Sequence, residues 1–126
     1  MKIKTSELKG AQLDWAVLYA RCLQANDGKP IQARDLMDAA VRNGMASPSA
    51  DWAQGGPIIE REKITLHAPS NGIVHRYYKG RAEWVAHRPG YRETTWNGPT
   101  PLIAAMRCFV ASKLGDEVEV PEELAA

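Results

Sequence analysis

Apolar residues between Leu13 and Leu23 recur at helical spacing. Leu13, Ala16, Val17, Ala20 and Leu23 make one stripe, and Trp15, Leu18, Tyr19 and Cys22 make another beside it, which predicts a helix covered on most of its surface. A second strong pattern lies near the other end, where Leu102, Ile103, Met106, Phe109, Val110 and Leu114 share one broad face. Both ends of that helix are written out. The Thr100 hydroxyl can cap the first free amides, Pro101 fits the first helical position where no amide partner is needed, and Gly115 supplies the left-handed residue that stops the run.

The remaining elements are shorter. Lys2 to Lys4 reads as a strand, and Pro30 to Asn43 as a helix with Ala33, Leu36, Met37, Ala40 and Val41 inward and Gly44 closing it. Ser47 to Pro57 reads as an anchored connector with at most one helical turn, in which Asp51 caps Trp52 to Gln54 and Gly55 ends it. Ile58 to Leu66, Ile73 to Tyr78 and Arg81 to His87 have strand composition, separated by the turn signals Asn71-Gly72 and Lys79-Gly80, so they predict an antiparallel meander. Val118 and Val120 alternate with Glu117 and Glu119 as a terminal edge strand; Pro121 ends pairing, and residues 115 to 126 read as an acidic, partly frayed tail. The expected fold is a single α+β domain over residues 1–126, an antiparallel sheet of three or four strands packed by the Leu13 and Leu102 helices, with Trp15, Trp52 and Trp84 as core or core-edge anchors.

Length and charge narrow the function classes. A chain of 126 residues can bury a core without metal or disulfide support, and 16 basic against 15 acidic residues, net +1, give no global attraction to nucleic acid or acidic membranes. No apolar run approaches the ~20 residues that span a bilayer, and Met1-Lys2-Ile3-Lys4-Thr5 lacks the apolar stretch of a secretory signal, so a cytosolic location is expected. Cys22 and Cys108 sit among apolar helical residues and read as buried free thiols, while His67, His75 and His87 are spread over the meander, where hairpin geometry can bring two together. No cofactor or metal motif is present: a serine elbow, a zinc helix and a phosphate loop are all missing.

Two stretches carry candidate binding chemistry. From Arg76 to Trp96, arginines at 76, 81, 88 and 92 and Lys79 interleave with Tyr77, Tyr78, Trp84, Tyr91 and Trp96, a mixture suited to stacking and phosphate contacts with single strands. Arg76, Tyr78, Arg81, Arg88 and Trp96 are its candidate contacts, although strand alternation sends only half of such side chains to one face and Glu83 and Glu93 dilute the charge. The second stretch is Asp51-Trp52-Ala53-Gln54-Gly55-Gly56-Pro57. Trp52 and Gln54 offer stacking and amide contacts there, and Gly55 and Gly56 allow another backbone or a ligand to approach. Asp14, Asp51, Glu60 and Glu62 have no spacing that distinguishes a catalytic carboxylate pair, and Arg107 is expected to face solvent.

Four stretches together resemble a known family. They are Lys4-Thr5-Ser6-Glu7-Leu8 with Leu13-Asp14-Trp15-Ala16-Val17; Ser47-Pro48-Ser49 with Asp51 to Glu60; Trp84; and Gly98-Pro99-Thr100-Pro101-Leu102 with Ala104 to Cys108, running on to Val120-Pro121. The pattern resembles the NinX-like family of small tailed-phage and prophage proteins. The resemblance implies an accessory protein of a phage or prophage, working in a host bacterial cytoplasm and carried near replication and late-control genes. It brings no catalytic residue and no cofactor. The leading expectation is a non-catalytic protein-binding module using the Trp52 loop, with a host or phage protein as partner; the alternative is a nucleic-acid-binding accessory using the 76–96 meander, and a small enzyme comes last.

Overall fold

The computed structural model describes residues 1–29, 34–69, 83–89 and 94–124, with the side chains of residues 34 and 35 outside that description. Its elements in chain order are β1 (Lys2–Lys4), a 3-10 turn at Thr5–Glu7, α1 (Gly10–Ala25), α2 (Arg34–Arg42), α3 (Trp52–Glu62), β2 (Thr65–His67), β3 (Trp84–His87), β4 (Trp96–Gly98), α4 (Pro101–Leu114), β5 (Glu117–Glu119) and a closing 3-10 turn at Glu122–Leu124. Helix α4 is the centre. It lies on the sheet β2-β3-β4 and also packs α1 and α3, so its face is broader than one stripe: Leu102, Ala104, Ala105, Met106, Cys108, Phe109 and Val110 are all buried. The Thr100 hydroxyl accepts from Ile103 N at 3.1 Å, Pro101 opens the helix, and Gly115 ends it at φ 89°, a backbone conformation that favours glycine.

The sheet β2-β3-β4 is antiparallel with neighbours consecutive in sequence, pairing Leu66 with Ala86 and Val85 with Asn97. The expected meander is corrected in its order: its first and third strands pair directly with each other, antiparallel, instead of flanking a middle strand, and Trp96–Gly98 is a strand the alternation did not mark; the expected strand Ile73 to Tyr78 lies outside the described residues. A separate two-stranded sheet joins β1 to β5, setting Lys2 opposite Glu119 and Lys4 opposite Glu117 around the buried step Ile3–Val118. Opposite charges across the ladder favour this register. Through Leu124 the acidic end is held by its apolar residues, Val120 and Leu124 both being buried, where the charge run alone suggested fraying.

Four local expectations are corrected. Trp52–Glu62 is an 11-residue helix, not a connector with one turn, and the strand composition of Ile58 to Leu66 yields a strand only at Thr65–His67. Asp51 does cap it, its Oδ1 accepting from Ala53 N at 2.9 Å, but the helix runs through Gly55, Gly56 and Pro57. Proline removes one amide, whose partner four residues back is the carbonyl of Ala53; Ala53 and Pro57 are both exposed, so the missing bond falls on the solvent face of the helix while buried Gly55 and Ile58 hold the opposite face. Trp15 is fully buried and Trp84 half-buried, but Trp52 is 54% exposed and anchors nothing. Leu36, expected inward, is likewise exposed, whereas Met37 and Val41 of α2 are buried.

Candidate functional site

Helix α3 approaches the turn before it closely enough to exclude any side chain at Gly55. A Cβ there would come within 2.5 Å of the Pro48 carbonyl oxygen and 2.6 Å of Leu102 Cδ2. The close approach foreseen at the paired glycines is thus made by the protein's own backbone. Gln54 fixes the same turn: its Oε1 accepts from Ser47 N at 2.8 Å, and its Nε2 donates to Met45 O at 3.2 Å and Asp51 Oδ2 at 3.1 Å. Below this turn the Asp14 carboxylate of α1 accepts from Ser49 N at 2.8 Å, and burial raises its pKa above the ordinary value, against the lowering effect of the Ser49 bonds.

With the polar atoms of Asp51 and Gln54 engaged inside the turn, Trp52 is the large side chain of this stretch presented outward. It stands at a groove of about 330 Å³ formed with Ser49, Ala50 and the first turn of α4, from Thr100 to Ile103. The lining is mostly apolar and rimmed by two hydroxyls. Leu102, which closes on Gly55 of α3, also lines this groove, so the two features are adjacent.

A second cleft, of about 170 Å³, lies where β3 and β4 meet the last turns of α4. Arg88 and Trp96 share it with Thr94, Cys108, Ser112 and Asp116, so one arginine and one aromatic of the basic stretch are brought together. Burial pushes the Cys108 thiol up to about 11, against the opposing charge of Arg88, which keeps it protonated at neutral pH. Arg76, Tyr78 and Arg81 lie outside the described residues. Glu83 and Arg88 are within them, an acid and a base flanking β3 at its two ends.

Arg107 is a correction. Instead of facing solvent it is half-buried, its Nε donating to Leu8 O at 2.9 Å and its Nη1 to Asn97 O at 2.7 Å, so one guanidinium ties the segment before α1 to β4 across α4. Burial lowers its pKa from the ordinary value and the charge of Glu83 opposes that lowering. Sequence reasoning missed this because the partners are backbone carbonyls, which no side-chain pattern reveals. Glu62 is another unforeseen junction, taking Gln24 Nε2 at 3.2 Å from α1 and Lys113 Nζ at 3.2 Å from α4.

The histidines also converge, in part. His67 and His87 lie diagonally across the β2–β3 pair, Thr65 being opposite His87 and His67 opposite Val85, and their Nε2 atoms are 3.1 Å apart. His75 lies outside the described residues. No group of three or more His, Cys, Asp or Glu side chains able to hold a metal occurs among the described residues.

A family model described as "Bacteriophage P22, NinX" matches residues 4–113. The chain belongs to the NinX family. The match spans α1, α2, α3, all three strands of the larger sheet and α4 through Lys113, and leaves β5 outside it. No curated protein matches the sequence. Family membership makes this a phage accessory protein, and no helix among the described residues is long and apolar enough to cross a membrane. Neither finding assigns a binding role to either cleft.

Proposed function

We propose that this NinX-family protein is a non-catalytic binding module that works in the host bacterial cytoplasm and takes a host or phage protein at the Trp52 groove. The observation that carries this reading is the 54% exposure of Trp52 on a helix whose neighbouring polar side chains are all engaged internally. A large aromatic held by a rigid helix beside a preformed groove is the usual anchor of a protein interface, because it buries much area at little entropic cost. An apolar side chain of the partner would enter between Trp52 and Leu102, with the Ser49 and Thr100 hydroxyls at the rim.

The test is affinity purification of the tagged protein from phage-infected cells, divided into nuclease-treated and untreated halves, with Trp52→Ala alongside. A protein that survives nuclease and is lost with Trp52→Ala, while far-UV circular dichroism stays unchanged, supports the reading. A partner retained by Trp52→Ala refutes it.

The convergence of Arg88 and Trp96 in one cleft favours a second reading, a nucleic-acid contact on the β3–β4 side with Arg76, Tyr78 and Arg81 as its further members. Steep salt dependence of binding to single-stranded DNA or RNA, weakened by Arg88→Ala, supports it. No retention on either nucleic acid at low salt removes it.

A further inference from the structure

We infer that His67 and His87 form a two-histidine site for a borderline-soft divalent transition ion such as Zn²⁺ or Cu²⁺. The site is independent of the Trp52 groove. Two strands of a regular antiparallel pair supply the ligands, so the backbone fixes their separation: the diagonal positions place both rings on one face, with Nε2 to Nε2 at 3.1 Å. Metal–imidazole bonds of roughly 2.0–2.1 Å meeting at a right or tetrahedral angle place their nitrogens about 2.9–3.4 Å apart, and the observed separation falls inside that range.

Orientation agrees with distance. The ring centroids are 5.1 Å apart, 2 Å further than the nitrogens, so the Nε2 atoms are the inward ends of the two rings. His87 is buried, and its Nδ1 lies 3.2 Å from the Arg88 carbonyl oxygen, which accepts only if Nδ1 carries the proton. That tautomer leaves the lone pair on Nε2, and a backbone carbonyl holding the far nitrogen is the usual support of a ligating histidine. Without metal, the 3.1 Å contact is a hydrogen bond in which His67 Nε2–H donates to His87 Nε2. Binding moves that proton through water to His67 Nδ1, so both rings stand as neutral Nδ1–H tautomers, each Nε2 offers a lone pair to the ion, and no net proton is released. Imidazole pairs select zinc, copper and nickel over magnesium and calcium, which prefer oxygen.

The first measurement needs no variant. In the full chain with ¹⁵N-labelled histidine, added Zn²⁺ is expected to shift the ring nitrogens of both His67 and His87 together at one equivalent, with Mg²⁺ in excess leaving them unchanged. If Zn²⁺ moves neither ring, or only one of them, the proposal is overturned. His67→Gln and His87→Gln, each confirmed as folded by circular dichroism, are each expected to weaken Cu²⁺ binding by about tenfold or more and to reduce the two-nitrogen hyperfine pattern of the bound ion to one. Unchanged affinity in both folded variants also overturns it.

Discussion

The indole Nε1 of Trp15 donates to Oδ1 of Asp38 at 2.8 Å, a buried bond that joins α1 to α2. Trp15 is fully buried and stacks on Tyr19 one turn along, with ring centroids 5.2 Å apart, so the bond satisfies the one polar atom of a core side chain. Arg42, one turn beyond Asp38, stands 3.8 Å from the other carboxylate oxygen. Asp38→Ala strands the indole donor in the interior and should cost about 1–3 kcal/mol, whereas Asp38→Asn keeps an acceptor and should cost clearly less. Urea unfolding followed by circular dichroism compares the two.

The paired glycines of α3 should respond in opposite directions. Gly55→Ala forces the added methyl against the Pro48 carbonyl and Leu102, and should destabilise by about 1–3 kcal/mol. At Gly56 a Cβ meets nothing closer than Trp52 Cε3 at 4.0 Å, so Gly56→Ala should stabilise the helix by about 0.5–1 kcal/mol. Thermal melts of the two variants should move to either side of the parent, and a parallel shift would mean that Gly55 does not approach the turn as described.

Two carboxylates give opposing pH dependences. Burial pushes Glu62 up, but the bonds from Gln24, Lys113 and Arg61 outweigh it and hold the group below its ordinary 4.5. The folded chain therefore binds that proton less readily than the unfolded chain: the stability from Glu62 is complete above 4.5 and is lost as pH falls through the lowered value. For Asp14 burial raises the pKa from 3.8, so its contribution is complete below 3.8 and is lost as pH rises through the raised value. Glu62→Gln should flatten the acid side of a stability–pH profile. Asp14→Asn, which keeps an oxygen for Ser49 N, should gain more stability at pH 7 than at pH 3.

Cys108 should be inert in the folded protein. With its thiol pushed up to about 11 and its side chain buried, little thiolate forms at pH 8 and little of it is reachable. Its reaction with a disulfide reagent at pH 8 should be more than about tenfold slower in the native chain than in guanidinium. A native rate matching the unfolded one would place the thiol outside the core.

What the residue pattern disclosed depended on whether the cause was local. Thr100, Pro101 and Gly115 determine α4 through groups within one turn of themselves, and the structure reproduces that helix from end to end. Trp52 to Glu62 misled because Gly55, Gly56 and Pro57 break helices by intrinsic preference, while the force keeping them helical is contact with Pro48 and Leu102, one of them nearly fifty residues away. Even its end is disguised: Lys63 takes the left-handed cap at φ 55°, where glycine is the expected signal. For the candidate sites, Arg88, Trp96 and Trp52 were recognisable from residue type, but only the fold shows that the first two share a cleft and that Asp51 and Gln54 spend their polar atoms inside. The His67–His87 meeting needed a strand register, which composition does not contain.

The β1–β5 ladder imposes an order on folding. Ile3 pairs with Val118, and Thr5, fully buried, donates its hydroxyl to the Gly115 carbonyl at 2.6 Å and its amide to Asp116 O at 2.8 Å. Closing a loop of that length gains nothing until α4 has docked, so this pairing belongs among the last events. On the ribosome β1 emerges well before β5 and must wait, unpaired, until the acidic strand that completes it has left the exit tunnel.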